Sequence, residues 1–202
     1  MENQENLFLK EYMKFTDTVA MYLPHSAYLP CLIASEAGEV VGKMSKMIRD
    51  EWDEEKVKKE VCLELGDVVW ACIRIGMDTN LLGISRKKTL VNFTEIIDRP
   101  CATFISKLNY ERFIDLGMSL NETALRIAKQ VLHSNNRGEF TVSGMNMVDV
   151  SNLEDRLYIC LYTVGKIGAT LGLSLRDIVK ANIEKLSARL ENKTIQGSGD
   201  HR

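Results

Sequence analysis

Four carboxylates stand out by their spacing. Glu36 and Glu39 form an E-x-x-E pair, and Glu64 and Asp67 form an E-x-x-D pair. Residues three apart lie on one side of a helix, so each pair presents two oxygen donors in one direction. Hard oxygen donors in that number suit Mg2+, with Mn2+ as its substitute. The second pair lies in a run, 61–76, that is apolar nearly all round. The only charges in this run are Glu64, Asp67 and Arg74, all within one narrow stripe that Glu60 extends by a turn. A helix apolar on every side is a buried helix. Carboxylates buried in it need a cation or strong donors, because an uncompensated charge is costly away from water. The pattern predicts one divalent-metal site shared by two helices. A salt-bridge cluster around Arg49 or Arg74 is the alternative that the spacing leaves open.

Helices must carry both pairs, and the apolar spacing places them. Ile33, Ala37, Val40, Val41, Met44 and Ile48 recur at threes and fours, which predicts an acidic helix over 31–49 with Pro30 at its start. Glu36 and Glu39 fall on the flank of that face, in line with Lys43 and Lys46. A second acidic helix is expected over 54–78. Before them, Phe8, Tyr12, Phe15, Val19 and Tyr22 predict a helix over 5–22, with Leu7 beside that face. After them, a short helix is expected up to about Phe93. Helical spacing follows in 101–110 and 119–133, the latter opened by Ser119 and Glu122 as a capping box. A turn is expected at Asn135–Gly138 and a loop over 139–150. The last helices are expected over 152–171, ended by Gly172, and 175–191, capped by Ser174. The fold class is therefore all-α, a helical bundle.

An internal repeat is suggested by alignment of the two halves. Ser35-Glu36-Ala37 aligns with Asn121-Glu122-Thr123, and Asp67 to Trp70 with Asp155 to Tyr158. Similar ends follow, LLGIS at 81–85 and TLGLS at 170–174. On this reading, 5–93 is an active half, 98–192 a degenerate half and 193–202 a polar tail. The second half keeps Glu122 and Asp155 but has Leu125 and Asn152 in place of Glu39 and Glu64, too few carboxylates to hold a metal well.

Composition narrows the class. At 202 residues, 45% apolar and 27% charged, the chain suits a single globular domain over 1–202. A net charge of −2 with no basic block argues against a nucleic-acid groove. No run reaches the length of a membrane span. MENQENLFLKEY is polar and charged, unlike a signal peptide. Five cysteines without C-x-x-C spacing read as small apolar residues in a reducing cytoplasm.

These residues carry a family resemblance. E-x-x-E, a linker and then Glu64-Leu65-Gly66-Asp67-Val68-Val69-Trp70 resemble the MazG-like all-α nucleoside triphosphate pyrophosphohydrolases. The Tyr22–Pro24 stretch, Gly38-Glu39-Val40 and Ile48-Arg49-Asp50 match as well, as do 181–190 and 195–202 near the C-terminal end. One position departs: a Glu often stands directly before the first pair in that family, and here it is Ser35. The resemblance implies Glu36, Glu39, Glu64 and Asp67 as ligands of Mg2+. It implies hydrolysis of a nucleoside or deoxynucleoside triphosphate to the monophosphate and pyrophosphate, in a homodimer. A metal would neutralise the triphosphate and acidify a water, and Glu39 or Glu60 would position or deprotonate that water. Lys43, Lys46 and Arg49 on the first acidic helix are candidate phosphate contacts, as are Asn182, Lys185 and Arg189 on one face of the last. The tail at 197–200 could offer backbone N–H groups to a phosphate, and His25 could touch base or ribose. The competing expectation is a non-catalytic oligomerisation or regulatory module that keeps the acidic helices. A ferritin-like di-metal oxidase would want E-x-x-H on helices, and no histidine here stands three after a glutamate.

Overall fold

Apolar spacing and capping turn the described sequence into helices. The computed structural model describes residues 4–23, 26–79, 81, 110–136 and 147–194. It forms α1 (Gln4–Val19), α2 (Tyr28–Arg49), α3 (Glu54–Asp78), α4 (Tyr110–Asn136), α5 (Met147–Thr170) and α6 (Leu175–Glu191). The all-α expectation holds. The expected short helix near Phe93, the spacing in 101–109, His25 and the tail at 195–202 lie outside the described residues.

Helix α2 packs against α3 on one side and α4 on the other, α4 packs against α5, and α5 returns to α3. The four close a ring, two helical hairpins face to face. Helix α6 lies across α3 and touches α5 and α1, while α1 packs on α3 and α6. One continuous apolar core runs through all of them. Helix α3 is therefore covered on nearly every side, which is why its sequence is apolar all round.

The sequence locates several boundaries directly. Asp53 caps α3 by accepting from the Lys56 backbone N–H, and α3 runs over the expected 54–78. Ser174 and Asp177 form a reciprocal capping box that starts α6 where expected. Gly172 turns the chain at φ 69°, a left-handed conformation that disfavours a side chain, so α6 leaves α5 at 95°.

Elsewhere the structure corrects the reading. In α1 the buried stripe is Leu9, Tyr12, Thr16 and Val19, with Phe8 and Phe15 half-buried and Leu7 exposed. The stripe is rotated because α1 meets α6 through the Tyr12 hydroxyl, which bonds Asn182. In α2 the buried face ends on Met47, and Ile48 is 58% exposed. Steps of four, three, four and three from Ile33 to Met47 keep that face straight, and Ile48 falls off it. Helix α4 passes through Ser119 without a break, because Phe113, Leu120, Ala124, Ile127 and Val131 form one buried stripe. The expected capping box does not form, and Glu122 pairs with Arg126 instead. Helix α5 begins at Met147, inside the expected loop.

Cys62, Cys72 and Cys160 are buried free thiols, as expected of small apolar residues, while Cys31 is exposed; Cys101 lies outside the described residues. The Cys72 and Cys160 sulfurs meet at 3.5 Å where α3 packs on α5. Among the described residues, no single helix is long and apolar enough to cross a membrane.

Candidate metal centre

Helices α2 and α3 bring three of the four predicted carboxylates to one point. One oxygen each from Glu36, Glu64 and Asp67 lies within 4.8 Å of the others, the spacing at which one cation could bridge them. Glu64 is buried, and Glu36 and Asp67 are half-buried. Glu39, one turn after Glu36, is exposed and outside this trio; the Ser35 hydroxyl approaches it at 3.5 Å.

Two lysines enter the cluster, and neither points to open solvent. Lys43 is buried and donates to Glu60 at 2.9 Å, with Glu64 at 3.1 Å. Burial works against its charge, but the hydrogen bonds to Glu60 and Glu64 outweigh that and hold its pKa above the usual lysine value. Lys185 reaches from α6 to pair with one oxygen of Asp67. Asn182 donates to the other Asp67 oxygen at 2.9 Å and accepts from the Tyr12 hydroxyl at 2.9 Å. Both Asp67 oxygens are thus oriented by α6, and α6 is in turn fixed to α1.

Close approach makes this possible. Gly66 lies against Asn182, and a Cβ built on Gly66 would sit 2.9 Å from the Asn182 Cβ. A side chain at position 66 would push α6 away and lift Asn182 and Lys185 off Asp67.

The charge balance leaves room for a cation. Burial first, then the charges of Asp67 and Glu39, push the Glu36 carboxyl up to about 8, with Lys185 opposing. Burial also raises Glu64, against the pull of Lys185 and Lys43. Among the described residues, the ammonium groups paired with these carboxylates are those of Lys43 and Lys185, and a divalent ion would add positive charge beside them. The donor set, all carboxylate oxygen, fits Mg2+ or Mn2+.

The remaining sequence candidates scatter. Lys46 is exposed, and Arg49 is exposed and paired with Asp50 at 2.6 Å. Arg189 is half-buried on the last turn of α6. Asn182 was expected at a phosphate; it is wholly buried, and its amide serves Asp67. Lys43 likewise serves Glu60 and Glu64, because a buried ammonium must sit by its counter-charge. The arginine-centred alternative does not form at the trio. Arg74, about two turns after Asp67 on α3, pairs with Asp17 and Asp78 and donates to the Tyr22 hydroxyl.

Sequence reasoning missed the roles of Tyr12 and Gly66 at the site. Two signals were available. A tyrosine in a buried stripe needs a partner for its hydroxyl, and a glycine inside a helix, between Glu64 and Asp67, marks close approach. In the second hairpin, Glu122 and Asp155 are both exposed, and no cluster of this kind forms there among the described residues. Comparison of the chain with protein-family models, with curated proteins and with solved structures returns no match.

Proposed function

We propose that this chain is a metal-dependent nucleoside triphosphate pyrophosphohydrolase, converting a nucleoside or deoxynucleoside triphosphate and water to the monophosphate and pyrophosphate. The observation that carries the reading is the convergence of Glu36, Glu64 and Asp67 within 4.8 Å, beside the ion pairs of Lys43 and Lys185. The MazG-like resemblance of the same residues names the reaction. A bound Mg2+ would neutralise part of the triphosphate charge and lower the pKa of a water.

The chain's own residues do the rest. Glu36, Glu64 and Asp67 would hold the cation, and Glu39, exposed one turn after Glu36, would be the fourth carboxylate of the set. Asn182 and Lys185 keep Asp67 oriented. Glu60, held by Lys43 one turn before Glu64, is the residue we assign to take a proton from the attacking water. Arg189 and Lys46 remain the cations for outer phosphate oxygens. The hairpin α4–α5 is a degenerate copy of α2–α3 that supports the active one. Two chains pair, and Met118, Leu125 and Leu132, exposed at seven-residue intervals along α4, supply an apolar strip for it.

A second reading rests on the lysines. Lys43 and Lys185 already pair with Glu64 and Asp67, so the cluster could be a structural ion-pair network in a non-catalytic oligomerisation or regulatory module. Turnover separates the two. Incubating the protein with a panel of ribo- and deoxyribonucleoside triphosphates and Mg2+, then separating products by charge, should give monophosphate and pyrophosphate. Turnover that survives EDTA, orthophosphate as the first product, or no turnover on any nucleotide counts against the hydrolase.

A further inference from the structure

Beside the acidic trio lies a short wall of aromatic rings whose outer end is open. Trp70 follows Asp67 by one helical turn. Tyr22 stands edge-on to Trp70, with ring centroids 6.1 Å apart and planes at 77°. Tyr28 stacks on Tyr22 at 4.9 Å and 18°. Tyr28 also begins α2, eight residues before Glu36, which is about 12 Å along a helix axis. The wall therefore runs from the metal ligand on α3 to the start of the helix that carries Glu36.

Four features set this wall apart from ordinary core packing. Tyr28 is 46% exposed although one ring face is covered by Tyr22. The Tyr22 ring is fixed from behind, since its hydroxyl accepts from Arg74 and donates to Asp78, both at 2.9 Å. A stacked pair fixed in this way offers a flat face at little ordering cost. The Trp70 Nε1–H is buried with no acceptor among the described residues, a rare state for an indole donor. The charges of Glu36 and Asp67 also reach the Tyr28 phenol, where after burial they are the next causes of its raised pKa.

We infer that Tyr28, backed by Tyr22 and Trp70, is the platform on which the flat base of the nucleotide stacks while its triphosphate lies at the acidic trio. The inference rests on the proposed function and adds to it: the substrate is selected as a nucleotide, through its ring, over a bare polyphosphate. Stacking reads every base through its π face, so the platform favours nucleotides as a class, and the choice among bases falls to other groups.

The test compares two ligands on Mn2+-loaded protein, inorganic tripolyphosphate and a non-hydrolysable α,β-imido nucleoside triphosphate, by calorimetry. The parent should bind the nucleotide more tightly than tripolyphosphate. Tyr28→Ala should weaken nucleotide binding by about 5- to 100-fold and leave tripolyphosphate and Mn2+ affinity unchanged. Tyr28→Phe, which keeps the ring, should bind as the parent does. Thermal melts of all three proteins confirm folding, which a half-exposed residue should not upset. A Tyr28→Ala protein with parental nucleotide affinity, or one that loses both ligands equally, overturns the platform. So does a parent that binds both ligands equally, although the metal-polyphosphate reading survives that outcome. A parent that binds neither ligand removes the platform and the hydrolase together.

Discussion

Glu36→Gln should lose divalent-cation binding while keeping its fold. In the metal-free protein the Glu36 carboxyl is pushed up to about 8, by burial first and then by Asp67 and Glu39. At pH 7 it is therefore mostly protonated, and glutamine resembles the protonated acid in shape and charge. Chelator-treated Glu36→Gln should melt above the parent at pH 7, because the parent's unfolded chain ionises Glu36 and the variant's has nothing to ionise there. The cation requires the ionised form, so Mn2+ affinity and turnover should each fall by more than the ~10–100-fold that follows loss of a supporting group around a metal. The parent's pH profile carries the same signature. The folded-state value of about 8 lies above the ordinary value of 4.5. Glu36 thus contributes stability that is fully present below the ordinary value and is lost as pH rises through about 8. In EDTA the parent should lose stability across that window, and Glu36→Gln should lose less. With Mn2+ present the trend reverses, because the metal displaces the proton and binds more tightly as pH rises. A variant with more than half the parent's turnover removes Glu36 from the ligand set.

Lys43→Met should carry the largest stability cost at the site. Its ammonium is buried between Glu60 and Glu64, and Glu64 is itself buried. Removing one partner of such a group leaves carboxylates uncompensated, at a cost of about 3–5 kcal/mol when the pair is fully buried. Glu60 is partly exposed, which places the expectation at the low end. For a chain of this size about 3 kcal/mol lowers the melting temperature by about 6–12 °C. Added Mn2+ should raise the variant's melting temperature more than the parent's, since the cation then supplies the charge that Lys43 gave to Glu64. A loss below about 2 °C in EDTA contradicts the counter-ion role of Lys43. Failure of Mn2+ to stabilise either protein favours the structural ion-pair reading.

The parts legible in the sequence share a physical cause. Helix α3 could be read to its ends because an all-round apolar run and two carboxylates in one stripe pointed the same way, and Asp53 then caps it. The end of α5 and the start of α6 were legible from Gly172 and Ser174, whose conformations depend on local chemistry. The convergence of Glu36 with Glu64 and Asp67 followed from placing each pair at the edge of an apolar face.

What was not legible depends on contacts between distant segments. Nothing near residue 182 indicates that its amide will meet Asp67 and Tyr12, because that meeting needs α6 to cross α3 at Gly66. Lys43 resembles a surface lysine by spacing until α3 is laid beside it. The separation of Glu39 from its E-x-x-E partner is a matter of how α2 is rotated, and a rotation of a few tens of degrees decides which of two flanking carboxylates faces the site. At Ser119 a local capping pattern, Ser119 with Glu122, opposes a continuous buried stripe along α4. Burial won there, as it does when tertiary packing opposes a local signal worth about 1 kcal/mol.

The anomalous signal of Mn2+ soaked into crystals of the full chain bears most directly on the metal centre. One peak within coordination distance of Glu36, Glu64 and Asp67, with Glu39 drawn towards it and no peak at Glu122 or Asp155, is the expected map. A peak beside Glu122 and Asp155 would refute the degenerate second hairpin. A map with no peak at the trio at saturating Mn2+, Lys43 still on Glu64 and Lys185 still on Asp67, would contradict the metal site and the hydrolase built on it.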